Sequence, residues 1–466
     1  MAGKILIVDD VATNRIVLKV KLSGARYETI QASNGTEALQ HVAQSHPDLI
    51  LLDVQLPDHN GIDICRTLKA DPATRGIPIV MITAFADTQT RLEALRAGAD
   101  DFLVKPFDEL VLLARLRSLL RAKETDEELT LRESTCRELG FAEAQASFGA
   151  PARIGLVAAD RETGLMWKTM LTRFMPLDNF GVLNRDEALI EAVGANGPDA
   201  FVIAADLSRA GEGLRLMSEL RSRPSSRHAV ICIASDEHAR ETAAVALDLG
   251  ASDLVPVALS TAASAEEAAL RLKAQLMRKR TLDQQRENVA DGLRLAVTDP
   301  LTGLYNRRYA MPHLARMAER SRVTGRQFAV MVLDLDRFKS INDTYGHAAG
   351  DAVLVEVAQR LRFNLRQVDL IARIGGEEFL VAMPETTLDA ARVAAERLCR
   401  VMAQTPITLP GGADTVKVTV SIGLALGGGA EHDPVDALIS LADRALLGSK
   451  ADGRNQVKIF NRPSAA

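Results

Sequence analysis

Residues 375–379 read Gly-Gly-Glu-Glu-Phe and lie between two apolar runs, at 370–372 and 379–381. Two glycines in this position predict a β-hairpin with a primed two-residue turn. The turn would put two carboxylates, Glu377 and Glu378, at the start of the returning strand, beside a bare backbone that leaves room for a phosphate or a sugar. Ordinary surface charge has the same appearance, so the interpretation depends on the neighbouring sequence.

A second acidic strand end lies upstream of this hairpin. An apolar run at 328–333 leads into Asp334, Leu335 and Asp336, and a polar stretch at 337–351 follows. Before both comes Asp-Pro-Leu-Thr-Gly-Leu-Tyr-Asn-Arg-Arg, at 299–308. Together these motifs resemble the GGDEF family of diguanylate cyclases, in its GGEEF variant.

Length and charge predict a protein of several domains that does not bind nucleic acid. The chain has 466 residues, which suggests roughly three domains of about 150 residues each. It has 61 acidic and 56 basic residues, for a formal net charge of −5. No basic excess is therefore available to neutralise the phosphates of a nucleic acid or a membrane surface.

Nothing in the sequence predicts export or membrane insertion. Four widely spaced cysteines without a Cys-x-x-Cys pair are typical of buried thiols in a reducing compartment; they are Cys65, Cys136, Cys232 and Cys399. No apolar run approaches the roughly 18 to 20 residues that cross a bilayer. The N-terminal apolar run is too short for a signal peptide and ends in acids. We therefore expect a cytoplasmic protein.

The first block, residues 1–122, alternates short apolar runs with helical patterns. Its strand-like runs lie at 5–8, 49–52, 79–82 and 102–104. This alternation predicts βα units around a parallel sheet that is buried on both faces.

The second block, residues 151–275, repeats the layout of the first. Three pairs of segments correspond: 153–157 with 4–8, 198–203 with 47–52, and 249–253 with 97–101. We predict two doubly wound, flavodoxin-like domains, followed by an α/β domain of the nucleotidyl-cyclase type at 298–462. A helical linker is expected at 123–150 and a stalk helix at 276–297. The sequence of the stalk would also fit a two-stranded coiled coil.

Polar residues follow the strand-like runs of the first block. Asp9 and Asp10 follow the first run, Asp53 the run at 49–52, Thr83 the next and Lys105 the last. In a doubly wound sheet, ligands gather at the carboxyl ends of the strands. Three acids that meet there would repel one another unless a cation lies between them, and oxygen ligands of this kind suit Mg²⁺.

This set resembles the receiver domain of two-component response regulators. The resemblance implies that Asp53 accepts a phosphoryl group from a cognate histidine kinase. Asp9 and Asp10 would hold Mg²⁺ together with Asp53 and the carbonyl of Gln55. Lys105 would pair with the phosphoryl oxygens, Thr83 would move to contact them, and Phe102 stands at the aromatic switch position of the family.

The second block lacks this set of residues. Ala159-Asp160 corresponds to the two N-terminal acids, while Ala204, Ala234 and Val257 correspond to Asp53, Thr83 and Lys105. Asp206 lies close but is offset by two residues. We interpret the block as a degenerate receiver-like domain that serves packing and dimerisation. The whole chain thus resembles the family of response regulators with two receiver-type domains and a GGEEF domain.

For the third block, two converging carboxylates can hold divalent metal against a triphosphate. The resemblance implies that Asp334, the Leu335 carbonyl and Glu377 ligate Mg²⁺, and that Asn342 and Asp351 bind the guanine edge. It also implies that the phosphates are held by three basic side chains, Lys339, Lys450 and Arg454. Glu378 would position the reacting groups or act as a base, and the sequence leaves this open.

The implied reaction joins two molecules of GTP into cyclic di-GMP and releases two pyrophosphates. Each domain would hold one GTP, so two domains must face each other in a homodimer. Phosphorylation of Asp53 would favour that dimer. Arg366 and Asp369, five residues before the hairpin, match the family's RxxD product-inhibition motif, to which Arg397 would contribute.

Three other functions fit the sequence less well than an active cyclase does. A degenerate GGEEF protein that only senses GTP or cyclic di-GMP is disfavoured by the intact set of candidate residues. An adenylyl-type cyclase is disfavoured by the guanine pair, Asn342 and Asp351. A transcription factor is disfavoured because the sequence has no basic recognition helix.

Overall fold

The computed structural model describes residues 3–84, 87–138, 150–194, 197–236, 238–412, 414–428 and 434–460. Among these residues, no helix combines the length and the apolar character that crossing a bilayer requires. The chain divides into two compact units. Of the described residues, 3–135 and 150–288 form the first unit, and 136–138 together with those from Val289 on form the second. The part of the predicted linker at 139–149 lies outside the described residues.

The first unit begins with a parallel five-stranded sheet. Its strands are β1 (Lys4–Val8), β2 (Glu28–Ala32), β3 (Leu49–Asp53), β4 (Ile79–Thr83) and β5 (Asp101–Val104). Its helices are α1 (Ala12–Gly24), α2 (Gly35–Ser45), α3 (Gly61–Ala70), α4 (Thr88–Arg96) and α5 (Glu109–Glu138). The strand order is β2-β1-β3-β4-β5. Because helices cover both faces, every residue of β3 and β4 is buried.

A second sheet of the same winding completes this unit. Its strands are β6 (Arg153–Val157), β7 (Asn179–Val182), β8 (Ala200–Ala204), β9 (Val230–Ser235) and β10 (Asp253–Pro256). The helices are α6 (Arg161–Phe174), α7 (Arg185–Glu191), α8 (Glu212–Ser222), α9 (Arg240–Asp248) and α10 (Ala262–Val297), of which the residues from Val289 on belong to the second unit. The order β10-β9-β8-β6-β7 repeats that of the first sheet. The prediction of two doubly wound sheets is confirmed.

The second unit is built on a mixed six-stranded sheet of order β11-β13-β14-β12-β17-β18. Its strands are β11 (Tyr305–Asn306), β12 (Phe328–Leu335), β13 (Leu370–Gly375), β14 (Glu378–Met383), β17 (Val420–Gly427) and β18 (Val457–Ile459), with a separate pair β15 (Ile407–Thr408) and β16 (Thr415–Val416). Its helices are α11 (Arg307–Thr324), α12 (Phe338–Tyr345), α13 (His347–Asn364), α14 (Leu388–Gln404) and α15 (Val435–Ala451). Strand β12 is central and buried along its whole length.

The hairpin between β13 and β14 forms, but its turn differs from the prediction. The turn residues are Gly376 and Glu377, since Gly375 still pairs with Glu378 after a bulge that follows Arg373. Neither turn residue has a positive φ, so a primed turn was the wrong prediction. The guanidinium of Arg373 donates to the Gly376 carbonyl at 2.7 and 3.0 Å and stabilises the turn from outside it.

Candidate functional site

Three carboxylates meet at the carboxyl edge of the first sheet. Ligand oxygens of Asp9, Asp10 and Asp53 all lie within 4.8 Å of one another. Asp9 and Asp53 are buried, whereas Asp10 is exposed. Asn14, which the sequence patterns did not single out, donates to the Asp9 carboxylate at 3.1 Å, and the Gln55 amide donates to Asp53 at 3.2 Å. This all-oxygen donor set fits Mg²⁺.

Lys105 compensates the charge of these acids. Its Nζ donates to Asp9 Oδ2 and to Asp53 Oδ2, each at 2.6 Å. Burial raises the pKa of Asp53, with a contribution from Asp9, and the contact with Lys105 opposes that rise. Burial lowers the pKa of Lys105, but its two carboxylate partners outweigh this and the pKa is raised. Lys105 therefore stays charged, within reach of any group that Asp53 carries.

The predicted switch residues flank this edge. Thr83 ends β4 and is buried, and Phe102 is buried in β5. The guanidinium of Arg91, from α4, lies 5.8 Å from the centre of the Phe102 ring. Arg91 also pairs with Glu267 of α10 at 3.3 Å. The Phe102 ring thus lies beside an arginine that pairs with α10, a helix of the second receiver-like domain.

Buried ion pairs join the two sheets of the first unit, and sequence patterns did not predict them. Arg271 of α10 lies 3.1 Å from Asp101, from Asp253 and from Glu267. Arg115 of α5 also pairs with Asp101, and burial with the neighbouring Arg271 lowers its pKa to about 10. Asp101 and Asp253 begin corresponding strands of the repeat. The matching positions of Asp101 and Asp253 in the repeat were the one signal in the sequence that could have indicated these ion pairs.

The corresponding positions of the second sheet hold no such cluster. Asp160 caps α6 by accepting from the Thr163 amide at 2.8 Å, and Asp206 accepts from the Gly211 amide at 2.7 Å. Ala204 and Ala234 are buried. Within the part of the chain that the structure describes, Asp9, Asp10 and Asp53 form the single group of three or more potential metal ligands.

In the second unit, Asp334 and Glu377 come together at the carboxyl end of the central strand β12. Asp334 pairs in register with Glu378 across β12 and β14, and the Leu335 amide donates to the Glu377 carbonyl at 3.3 Å. Lys450 lies 2.7 Å from Asp334. Burial raises the pKa of both carboxyls, and the charge of Asp334 adds to the rise at Glu377. Two carboxylates that repel each other form a site suited to a divalent cation.

The opening segment at 299–308 contacts the arginine that stabilises the hairpin. Arg373, whose guanidinium holds the turn carbonyl, also donates to Asp299 at 3.1 Å. Asp299 in turn accepts from the Thr302 amide at 2.9 Å. Arg373 was missed in the sequence because it lies among the apolar residues of β13, where no motif marks it.

The predicted guanine pair lies on neighbouring helices, Asn342 on α12 and Asp351 on α13. A Cβ added at Gly350 would lie only 1.9 Å from Asn342 Oδ1. The absence of a side chain at position 350 therefore allows the Asn342 amide to lie against Gly350 of α13, the residue that precedes Asp351. Lys339 is exposed on α12, and Arg454 is exposed beyond α15.

The RxxD residues also come together. The Arg366 amide donates to Asp369 Oδ2 at 2.8 Å. Burial raises the pKa of Asp369, and the charges of Arg366 and Arg397 oppose the rise. Asp369 Oδ1 is buried and has no hydrogen-bond partner among the described residues. Arg366 also lines a cavity of about 390 Å³ with Arg320 and Val368.

Two family models match the chain. Residues 5–117 match the response regulator receiver domain, and residues 296–456 match the GGDEF domain of diguanylate cyclases. The response regulator PleD of Caulobacter vibrioides is 39% identical over 460 residues, which cover 98% of this chain and 99% of PleD.

Other matches cover a smaller share of the chain. The diguanylate cyclase DgcP of Pseudomonas aeruginosa is 38% identical over 198 residues, or 42% of this chain and 29% of DgcP. A solved GGDEF domain of DgcB from Caulobacter crescentus, in complex with c-di-GMP, is 31% identical, covers 36% of this chain and 94% of its own, and has a TM-score of 0.35.

Proposed function

Since the chain belongs to the family of PleD-like response regulators with a diguanylate cyclase domain, we propose that it condenses two molecules of GTP into cyclic di-GMP under the control of Asp53. The observation that carries the proposal is the meeting of Asp334 and Glu377 beside Lys450. The proposal includes the domain division predicted from the sequence: a receiver at 1–122, a linker at 123–150, a receiver-like domain at 151–275, a stalk at 276–297 and the cyclase domain at 298–462.

Different residues of the second unit bind the guanine, the phosphates and the metal ion of the GTP complex. Asn342 and Asp351 bind the guanine, while Lys339, Lys450 and Arg454 hold the phosphates. Asp334, the Leu335 carbonyl and Glu377 hold Mg²⁺, which when bound neutralises charge on the triphosphate and lowers the pKa of the attacking hydroxyl. Each 3′-hydroxyl then attacks the α-phosphate of the other GTP, with pyrophosphate as the leaving group, so two domains must face each other.

The first unit supplies the control. Asp53 receives a phosphoryl group from a histidine kinase, Asp9 and Asp10 hold Mg²⁺, and Lys105 contacts the new anion. Thr83 and Phe102 then rearrange and bias the first unit toward a homodimer. This proposal is supported by Arg91, which contacts both Phe102 and Glu267.

Beryllofluoride, a mimic of phosphorylated aspartate, tests both parts together. We expect it to raise the rate of cyclic di-GMP formation at least about tenfold, in step with the dimer fraction measured by sedimentation. Asp53→Asn should respond in neither measurement, whereas Asp206→Asn, a matched aspartate of the second sheet, should respond like the wild type. GTP binding without any product in either state would leave a sensor in place of an enzyme.

Product inhibition is the second regulatory proposal. We expect Arg366→Ala to weaken inhibition by cyclic di-GMP about tenfold or more, because the arginine fork that recognises guanine and phosphate is lost. Initial rates at rising product concentration measure the effect. Arg392→Ala, which removes an exposed arginine of α14, is the control. Unchanged inhibition in Arg366→Ala would place the product site elsewhere.

A further inference from the structure

Asp336 is a buried acid that the proposed chemistry does not use. It lies just beyond β12, and its side chain is 7% exposed. Its carboxylate accepts hydrogen bonds from Ser421 Oγ at 2.7 Å, from Thr419 Oγ1 at 2.7 Å and from the Asn455 amide at 3.0 Å. These donors lie 83 to 119 positions further along the chain. Asp336 therefore ties the end of β12 to β17 and to the segment after α15.

That segment, which we call the 452–456 loop, has a backbone that needs support. Arg454 and Asn455 have φ values of 66° and 49°, in the left-handed region that residues other than glycine rarely adopt. Such conformations persist where the surroundings fix them. The Arg454 amide donates to the Ser449 carbonyl at 3.1 Å, and the next amide donates to Asp336.

The loop connects two parts of the proposed phosphate site. Lys450, at the end of α15, pairs with Asp334, and Arg454 lies on the loop itself. A cavity of about 500 Å³ lies beside it and is lined by Asp336, Arg454 and Lys417, among others. A change in the backbone conformation of the loop would therefore move Arg454 relative to Asp334 and Lys450.

We propose that Asp336 is a positioning residue that fixes the 452–456 loop, so that Arg454 is held ready for the phosphates of GTP. The proposal rests on the phosphate-binding role proposed above for Arg454. Asp336 Oδ1 accepts from Ser421, and Oδ2 accepts from Thr419 and Asn455. Both oxygens of Asp336 are thus engaged by protein donors, which distinguishes it from Asp334 two residues earlier.

Binding of 3′-deoxy-GTP, which lacks the attacking hydroxyl, tests the proposal on the full-length protein with Mg²⁺. We expect Asp336→Ala to bind this analogue about tenfold more weakly, in line with the loss of hydrogen bonds to a charged group. Hydrogen exchange at residues 452–456 should become faster. Asp336→Asn, whose one oxygen can still accept from Thr419 and Asn455, should recover most of the affinity.

Two further variants guard against a simple loss of folding. Thr419→Val removes one donor to Asp336 and should weaken binding in the same direction, whereas Thr419→Ser should bind like the wild type. Thr386→Val removes a buried hydroxyl that donates to the Pro384 carbonyl at 2.9 Å, away from the loop, and should leave the affinity unchanged.

A double-mutant cycle decides whether Asp336 acts through Arg454. In an Arg454→Ala background, Asp336→Ala should weaken binding by less than about twofold. Fully additive effects, or unchanged exchange in the loop, would overturn the proposal. A wild-type protein that binds the analogue but makes no cyclic di-GMP from GTP, even with beryllofluoride, would refute the cyclase function and leave this test of Asp336 intact.

Discussion

Glu377→Gln is expected to reduce cyclic di-GMP formation by about 100- to 1,000-fold, the range seen when one preorganised electrostatic contact is removed from a reaction centre. The substitution keeps the size of the side chain but removes a negative charge from the pair with Asp334. Burial raises the pKa of both carboxyls, and the charge of Asp334 raises that of Glu377 further; a bound cation would relieve this condition. Initial rates with GTP at rising Mg²⁺ concentration measure the loss.

The matched control is Glu319→Gln, on the exposed face of α11, where Glu319 pairs with Arg322. Its rate should equal that of the wild type. Glu377→Gln should retain its thermal stability and its response to beryllofluoride in sedimentation, since the substitution lies in the second unit. Activity within threefold of the wild type would remove Glu377 from the reaction centre.

Arg271→Ala is expected to destabilise the first unit by about 3–5 kcal/mol, because it leaves buried carboxylates without their shared partner. Arg271 is 5% exposed, and Asp101, Asp253 and Glu267 are buried around it. Since Arg91 and Arg115 remain, three carboxylates would face two arginines. Calorimetry of the full chain should show a fall in the melting temperature of one transition.

Arg117→Ala provides the comparison at the same pair of sheets. Arg117 pairs with Asp248 at 2.7 Å, but both side chains are more than 40% exposed, and exposed pairs contribute about 0–1 kcal/mol. A melting temperature in Arg271→Ala that matches that of Arg117→Ala would show that the buried pairs contribute little. A larger loss in Arg271→Ala would identify them as the principal electrostatic link between the sheets.

The residues of the first site were found in the sequence because each follows a recognisable strand-like run, whereas those of the second unit came from the hairpin, the acidic strand end and the family resemblance. Parallel strands end at a common edge, so Asp9, Asp53 and Lys105 had to meet once the winding was recognised. Arg373 and Asp336 were not assigned roles, since their partners lie tens of residues away and follow no spacing rule. The predicted turn type was wrong: the prediction used only the positions of the two glycines, and these do not indicate that Arg373 donates to the Gly376 carbonyl.

The sequence by itself determined the winding of the first two sheets, the family and the candidate residues for its chemistry. The winding, the family and the candidate residues are all encoded by local periodicity and short motifs, and these two signals do not depend on distant contacts. Only the tertiary structure decided which groups share a buried environment: the cluster of three arginines, Arg271 included, with three carboxylates, and the carboxylate of Asp336 under the 452–456 loop. Buried charges require partners, and those partners are set by how elements pack, which no local pattern records.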